Sequence, residues 1–248
     1  MRYFIHLAYK GTSFHGWQKQ PNHISVQGVI EQILSQILRE KIEIVGVGRT
    51  DAGVHAECFY AHFETNASFD LNRLKHSLNT MLPPDIGIYR VFPVCSSMHA
   101  RFSAVSRSYQ YTISRTKNPF LIDTALVLYA DLDIQKMNEA AALLYKYQDF
   151  TSFSKLHTDV NNNNCSIYFA EWKKTDSTYI FTISANRFLR NMVRAIAGTL
   201  IDVGSHKIDV EDVADIIESH SRQKAGKSVD ARGLSLVGVT YPEGFDVV

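Results

Sequence analysis

Arg49, Thr50 and Asp51 put a guanidinium, a hydroxyl and a carboxylate side by side in Gly48-Arg49-Thr50-Asp51-Ala52-Gly53-Val54-His55-Ala56. A carboxylate in such company has the makings of a nucleophile, and glycines allow a loop backbone angles closed to other residues. The same Asp-x-Gly spacing also makes an ordinary turn. The flanking residues argue for more. Ile42 to Val47 and Glu57 to Phe63 both read as strands from their β-branched, aromatic and alternating content, so the loop is held at both ends and Asp51 can be aimed.

Other segments could serve a nucleic-acid substrate. If Arg107 to Ser114 is a strand, Arg107, Tyr109 and Tyr111 share one face, where flat rings suit a nucleobase and a cation suits a phosphate. Half-buried strands also pack aromatics for structural reasons alone. If a helix starts near Leu189 and the arginines join it, Arg187, Arg190 and Arg194 stand at i, i+3 and i+7 and point one way, with Leu189, Met192, Val193 and Ile196 turned to the core. Such a row is also what a solvated helix face looks like. Near the start, Tyr9-x-Gly11-x-x-Phe14-x-Gly16-Trp17-Gln18 is a glycine-punctuated loop carrying aromatics.

The elements around these loops follow a repeating order. Arg2 to Tyr9 alternates as a strand; Ser25 caps a helix with an apolar stripe from Val26 to Leu38; Leu71, Leu74, Leu78 and Met81 mark a second helix stopped by Pro83-Pro84; Ile86 to Val91 is a strand. With the two strands beside Asp51 this is β-α-β-β-α-β, the ferredoxin-like order. The second half repeats it with strands at Arg107 to Ser114, Ile167 to Trp172, Tyr179 to Ala185 and Leu234 to Val239. Its helices hold Ile134 to Leu144 and Leu189 to Val203, and an extra helix carries Val210, Val213, Ile216 and Ile217. The expected fold is α+β: two ferredoxin-like halves, 1–100 and 101–248, joined into one large, mainly antiparallel sheet with helices on one face and a binding cleft on the other.

Composition narrows the classes. A chain of 248 residues can bury a substantial core, and the net charge of +1 does not announce a polyanion partner, although basic residues gathered on one face would still bind one. No run approaches the roughly eighteen apolar residues of a membrane span, and the N-terminus opens on an amphipathic strand. Cys58, Cys95 and Cys165 are scattered, with no Cys-x-x-Cys pair, which argues against a disulfide framework or structural zinc and for a reducing cytoplasm. No phosphate loop or metal-ligand cluster stands out, so no metal or cofactor is expected.

Gly-Arg-Thr-Asp-Ala-Gly-Val-His-Ala is similar, residue for residue, to the signature of the TruA family of tRNA pseudouridine synthases. Tyr9 to Gln18, Ser25-Val26-Gln27, the Ala-Arg-Phe-Ser-Ala at 100–104 followed by Arg107-x-Tyr109-x-Tyr111, and Phe188-Leu189-x-x-Met192-Val193-Arg194 resemble further family motifs. The resemblance implies the two-lobed fold above and a tRNA uridine isomerase working without a cofactor. Asp51 is then the nucleophile, Tyr109 the base-stacking tyrosine with Tyr111 as support, and Arg194 the arginine paired with the catalytic carboxylate. Arg49, Thr50, Gln27, Arg107 and Arg187 are candidate RNA contacts. It also implies a substrate site at positions 38 to 40 of the anticodon stem-loop, and a homodimer.

The chain departs from the family at Gln148-Asp149-Phe150, in the asparagine-rich stretch from Lys155 to Asn164, and at Val229-Asp230-Ala231, where a proline is expected before Gly233-Leu234. These departures bear on which uridines are chosen. The rival readings are the same chemistry at other tRNA positions, an RNA-binding module without catalysis, and a metal-dependent nuclease or hydrolase using Asp51 with Asp149 or Asp159.

Overall fold

In the computed structural model, which describes residues 1–155 and 162–246, the alternation of Arg2–Tyr9 becomes strand β1, with Phe4, Ile5, Leu7 and Tyr9 buried. Helix α1 (Val26–Leu38) follows, its start fixed by Ser25, whose hydroxyl accepts from the Gly28 amide at 3.2 Å. Strands β2 (Ile44–Gly46) and β3 (His55–Glu64) flank the Arg49–Asp51 loop. Helix α2 (Leu71–Met81) is capped by the Asp70 carboxylate, which accepts from the Arg73 amide at 2.7 Å. It ends where Pro83 forces Leu82 into an extended conformation, before β4 (Ile86–Val94).

The second run begins with β5 (Ser106–Ser114) and the two-residue strand β6 (Leu126–Val127), which pairs with it in parallel. Helix α3 (Ile134–Leu143), strands β7 (Ile167–Lys174) and β8 (Thr178–Ala185), and helices α4 (Met192–Gly204) and α5 (Asp212–Glu218) come next, and β9 (Leu234–Thr240) closes the order. The result is a mixed α+β fold of open, mostly antiparallel sheet with nine strands and five α-helices among the described residues.

Backbone contacts divide the chain into two units, Met1–Val105 with Leu236–Val248, and Ser106–Ser235. The first unit therefore reclaims the last stretch of the chain. Tyr241 packs among Phe4, Phe92, Val94 and Ala100 in a core cluster that no local pattern announces. In this unit β1 lies between β3 and β4, antiparallel to both, and β2 adds to β3, giving the order β4-β1-β3-β2. In the second unit β8 lies between β5 and β7, again antiparallel to both. No helix among the described residues is long and apolar enough to cross a membrane.

Two sequence expectations are corrected. The strand expected over 42–47 is confined to Ile44–Gly46. Helix α4 starts at Met192 rather than near Leu189, because Asn191 takes φ +69, a left-handed conformation that asparagine tolerates. Arg187 and Arg190 thus precede the helix, and the expected i, i+3, i+7 arginine row does not form. Of the asparagine-rich stretch at 155–164, residues 156–161, Asp159 included, lie outside the described residues.

Candidate active site

In the first unit the Asp51 loop is gripped on both sides of the carboxylate. Before it, the Thr50 hydroxyl lies 3.0 Å from the Tyr9 hydroxyl and accepts from the Trp17 amide at 3.2 Å. After it, the Val54 amide donates to the Asp51 carbonyl at 3.2 Å and the Gly53 amide to the Phe14 carbonyl at 3.3 Å. Of the two glycines expected to free the backbone, only Gly53 needs to, at φ +80; a side chain at Gly48 would meet open space. His55, read as loop, is the first residue of β3, and its buried Nδ1 accepts from the Gly11 amide at 3.0 Å.

The anchors have anchors. Trp17 is buried and stacks on Phe59 with centroids 4.1 Å apart, while Tyr9 meets Phe59 edge-on at 5.4 Å. Thr50 is therefore held by the Tyr9 hydroxyl and the Trp17 amide, two residues whose rings belong to the core, which helps fix the backbone of its neighbour Asp51. Asp51 is half-buried and Arg49 exposed, its Nε donating to the Gln18 side-chain oxygen at 3.3 Å.

Gln27 has its amide engaged inside the protein. Its oxygen accepts from the Lys19 amide at 2.9 Å, and its nitrogen donates at 3.0 Å to both the Glu31 carboxylate and the Ile44 carbonyl. Glu31, a buried acid on α1 that sequence periodicity passed over, also accepts from the Ile44 amide at 3.0 Å. Gln27, Trp17, Gln18, Arg49 and Arg101 line a surface pocket of about 150 Å³.

The second unit holds the other candidates. Tyr109 is half-buried and meets Phe188 edge-on, centroids 5.3 Å apart. Arg107 donates from Nη1 to the Asn186 carbonyl at 2.9 Å. Tyr111 is fully buried and donates to the Asp230 carbonyl at 3.0 Å, so it belongs to the core rather than to a presented face; burial pushes its phenol well up. Arg187 is half-buried on the segment between β8 and α4, where its amide donates to the Asn186 side-chain oxygen at 2.8 Å.

Arg194, on the first turn of α4, exchanges two hydrogen bonds with Val229: its Nε donates to the Val229 carbonyl at 2.8 Å and the Val229 amide to its carbonyl at 3.2 Å. The loop bearing Val229 is tied down in turn, because Ser228 accepts from Asn191 Nδ2 and Arg222 Nη2, each at 2.7 Å. Asp230 is held below the usual carboxylate range, first by the Arg232 amide and then by the Arg232 and Arg194 charges. This carboxylate lies in the stretch before Gly233-Leu234 that lacks the expected proline, and sequence reading assigned it no role. Among the described residues no group of three or more His, Cys, Asp or Glu is placed to hold a metal ion.

The structure thus gathers Arg49, Thr50, Asp51 and Gln27 in the first unit, and Arg107, Tyr109, Arg187 and Arg194 in the second.

A family described as tRNA pseudouridine synthase matches residues 6–103 and 140–242. The tRNA pseudouridine synthase A of Bacteroides thetaiotaomicron is 52% identical over 98% of this chain and 91% of its own length. That of Bacteroides fragilis is 51% identical over 98% of this chain and 97% of its own. A more distant relative of the same name, from Bacillus pumilus, is 40% identical over 95% of this chain and 97% of its own.

Proposed function

This chain belongs to the tRNA pseudouridine synthase family, and from that premise we propose that it converts uridine to pseudouridine at positions 38 to 40 of the tRNA anticodon stem-loop, with Asp51 as nucleophile. The membership itself makes it an isomerase acting on tRNA. The observation that supports Asp51 most is the grip on Thr50: a carboxylate whose preceding residue is bonded to Tyr9 and Trp17 is presented in one orientation, as a nucleophile must be.

The reaction breaks the bond between ribose carbon and uracil nitrogen, turns the base, and rejoins it through ring carbon, so product and substrate are isomers and no co-reactant is consumed. The target must first leave the stack, at a cost of a few kcal/mol. Tyr109 offsets part of that by stacking against the base, worth roughly 1 to 3 kcal/mol, and Arg49 contacts the space the base vacates. Asp51 then attacks the sugar anomeric carbon or the uracil ring. Arg194, permanently charged, supplies the cation that pairs with the carboxylate. Arg107 and Arg187 take phosphates. The enzyme works as a homodimer in the cytoplasm, a setting in keeping with its three free thiols.

The test is incubation of the purified protein, with chelator present, with an unmodified tRNA transcript carrying uridines in the anticodon arm, followed by pseudouridine mapping at each nucleotide. Conversion confined to positions 38 to 40 is expected. Conversion elsewhere keeps the chemistry and overturns the site; no conversion across several tRNAs overturns the activity.

A further inference from the structure

The turn formed by His99, Ala100, Arg101, Phe102 and Ser103 in the first unit is pinned throughout. The Ser103 amide donates to the His99 carbonyl and the His99 amide to the Ser103 hydroxyl, both at 2.9 Å. His99 Nδ1 accepts from the amides of Arg101 at 3.1 Å and Phe102 at 3.3 Å. The Ala100 amide donates to buried His62 at 3.1 Å, and its carbonyl accepts from the Tyr241 hydroxyl at 2.6 Å. The backbone that carries Arg101 and Phe102 is thereby fixed.

Phe102 is nevertheless 76% exposed. Its ring lies on the His99 ring, centroids 4.4 Å apart, and His99 meets His62 edge-on at 4.6 Å. The three rings form a column whose outer end is open, and the Arg101 guanidinium sits 5.5 Å from the Phe102 centroid. Single exposed apolar residues are ordinary. This one has a cation over its ring, and Arg101 also lines the pocket shared by Arg49 and Gln27, two residues from Asp51 along the chain in the case of Arg49.

We propose that Phe102 and Arg101 form a stacking site for an unpaired nucleobase of the substrate tRNA, adjacent to the target uridine and distinct from it, with the ring under the base and the guanidinium on its phosphate. The inference rests on the tRNA-isomerase reading of the Asp51 loop. Stacking on an aromatic ring is tolerant of base identity, so the site adds affinity and register for an unpaired segment rather than sequence choice.

Three proteins test it: wild type, Phe102→Leu and Phe102→Trp, each checked by circular dichroism and thermal melting. With an unmodified tRNA transcript, Phe102→Leu should raise KM about fivefold or more while kcat changes much less, and Phe102→Trp should keep KM near wild type. The indole emission of Phe102→Trp should be quenched by that transcript and not by a fully paired RNA duplex. An unchanged KM in Phe102→Leu, equal quenching by duplex, or a loss of self-association in Phe102→Leu with tRNA affinity intact would each overturn the proposal, the last by showing a contact between copies of the chain. Failure of wild type to convert any uridine would instead count against the activity reading, so the two failures are told apart.

Discussion

The hydroxyls of Tyr9, at the end of β1, and Thr50, in the loop, lie 3.0 Å apart, and the pair joins the rigid sheet of the first unit to the residue preceding Asp51. Thr50 Oγ1 also receives the Trp17 amide, so one hydroxyl carries two anchors. Tyr9→Phe should cost about 0.5–1.5 kcal/mol of stability and lower kcat about tenfold with little effect on KM, since a nucleophile loses far more from small misplacement than tRNA binding does. Urea midpoints and steady-state kinetics check this; an unchanged kcat would show that the Trp17 contact suffices.

Asp51→Asn should keep the fold and abolish isomerase activity, because the amide preserves shape and removes the nucleophilic charge. Pseudouridine formation in tRNA near the wild-type rate, read by mapping at each nucleotide, would end the assignment.

Arg194→Met should abolish activity and cost about 1–3 kcal/mol, because it removes the donor to the Val229 carbonyl along with the charge. Arg194→Lys should not restore the rate, since an ammonium cannot reproduce the planar, forked donor. Full activity in either variant would show that the carboxylate gets its cation elsewhere.

Gly16→Ala should destabilise by about 1–3 kcal/mol. Gly16 has φ +82, and a Cβ there would collide with the Thr50 carbonyl, so the strain falls directly on the Asp51 loop. A melting temperature and rate equal to wild type would mean that the loop moves freely, contrary to its hydrogen bonds.

Acid should weaken the first unit through His62. Burial, reinforced by the neighbouring His99 and Arg2, holds its pKa down at about 4 from an ordinary 6.5, and its Nδ1 accepts from the Ala100 amide. The unfolded chain binds the proton that the folded one refuses. This contribution is therefore intact above about pH 6.5 and is lost progressively as pH falls towards 4. Denaturation midpoints should drop over that window in wild type, with a shallower slope in His62→Gln; identical slopes would assign the acid sensitivity to other groups.

Much of this was legible in the sequence. Alternation, the Ser25 cap and the apolar stripe of α1 announced the β-α-β-β-α-β order, because those signals are local. The start of α4 was not legible: the apolar periodicity runs through Leu189, and only the φ of Asn191 stops the helix there. Neither was the network around Glu31, since a buried acid is recognised only from the Ile44 and Gln27 groups that satisfy it. Gly48 and Gly53 looked equivalent, and only Gly53 has a backbone that requires glycine. The roles of Tyr9 and Trp17 depend on a partner more than thirty positions away, a distance over which sequence periodicity says nothing.

Because the first unit combines residues 1–105 with 236–248, its assembly is out of step with synthesis. Tyr241, which packs on Phe4 and donates to Ala100 beneath the Phe102 turn, is made after the whole of the second unit. The continuous stretch 106–235 can fold as it leaves the ribosome, while the part carrying Asp51 waits for Tyr241 and Phe245 to complete its core. Asp51 is translated early and the core beneath its unit is finished late, so a nascent chain stalled before Tyr241 should lack a properly held Asp51 loop.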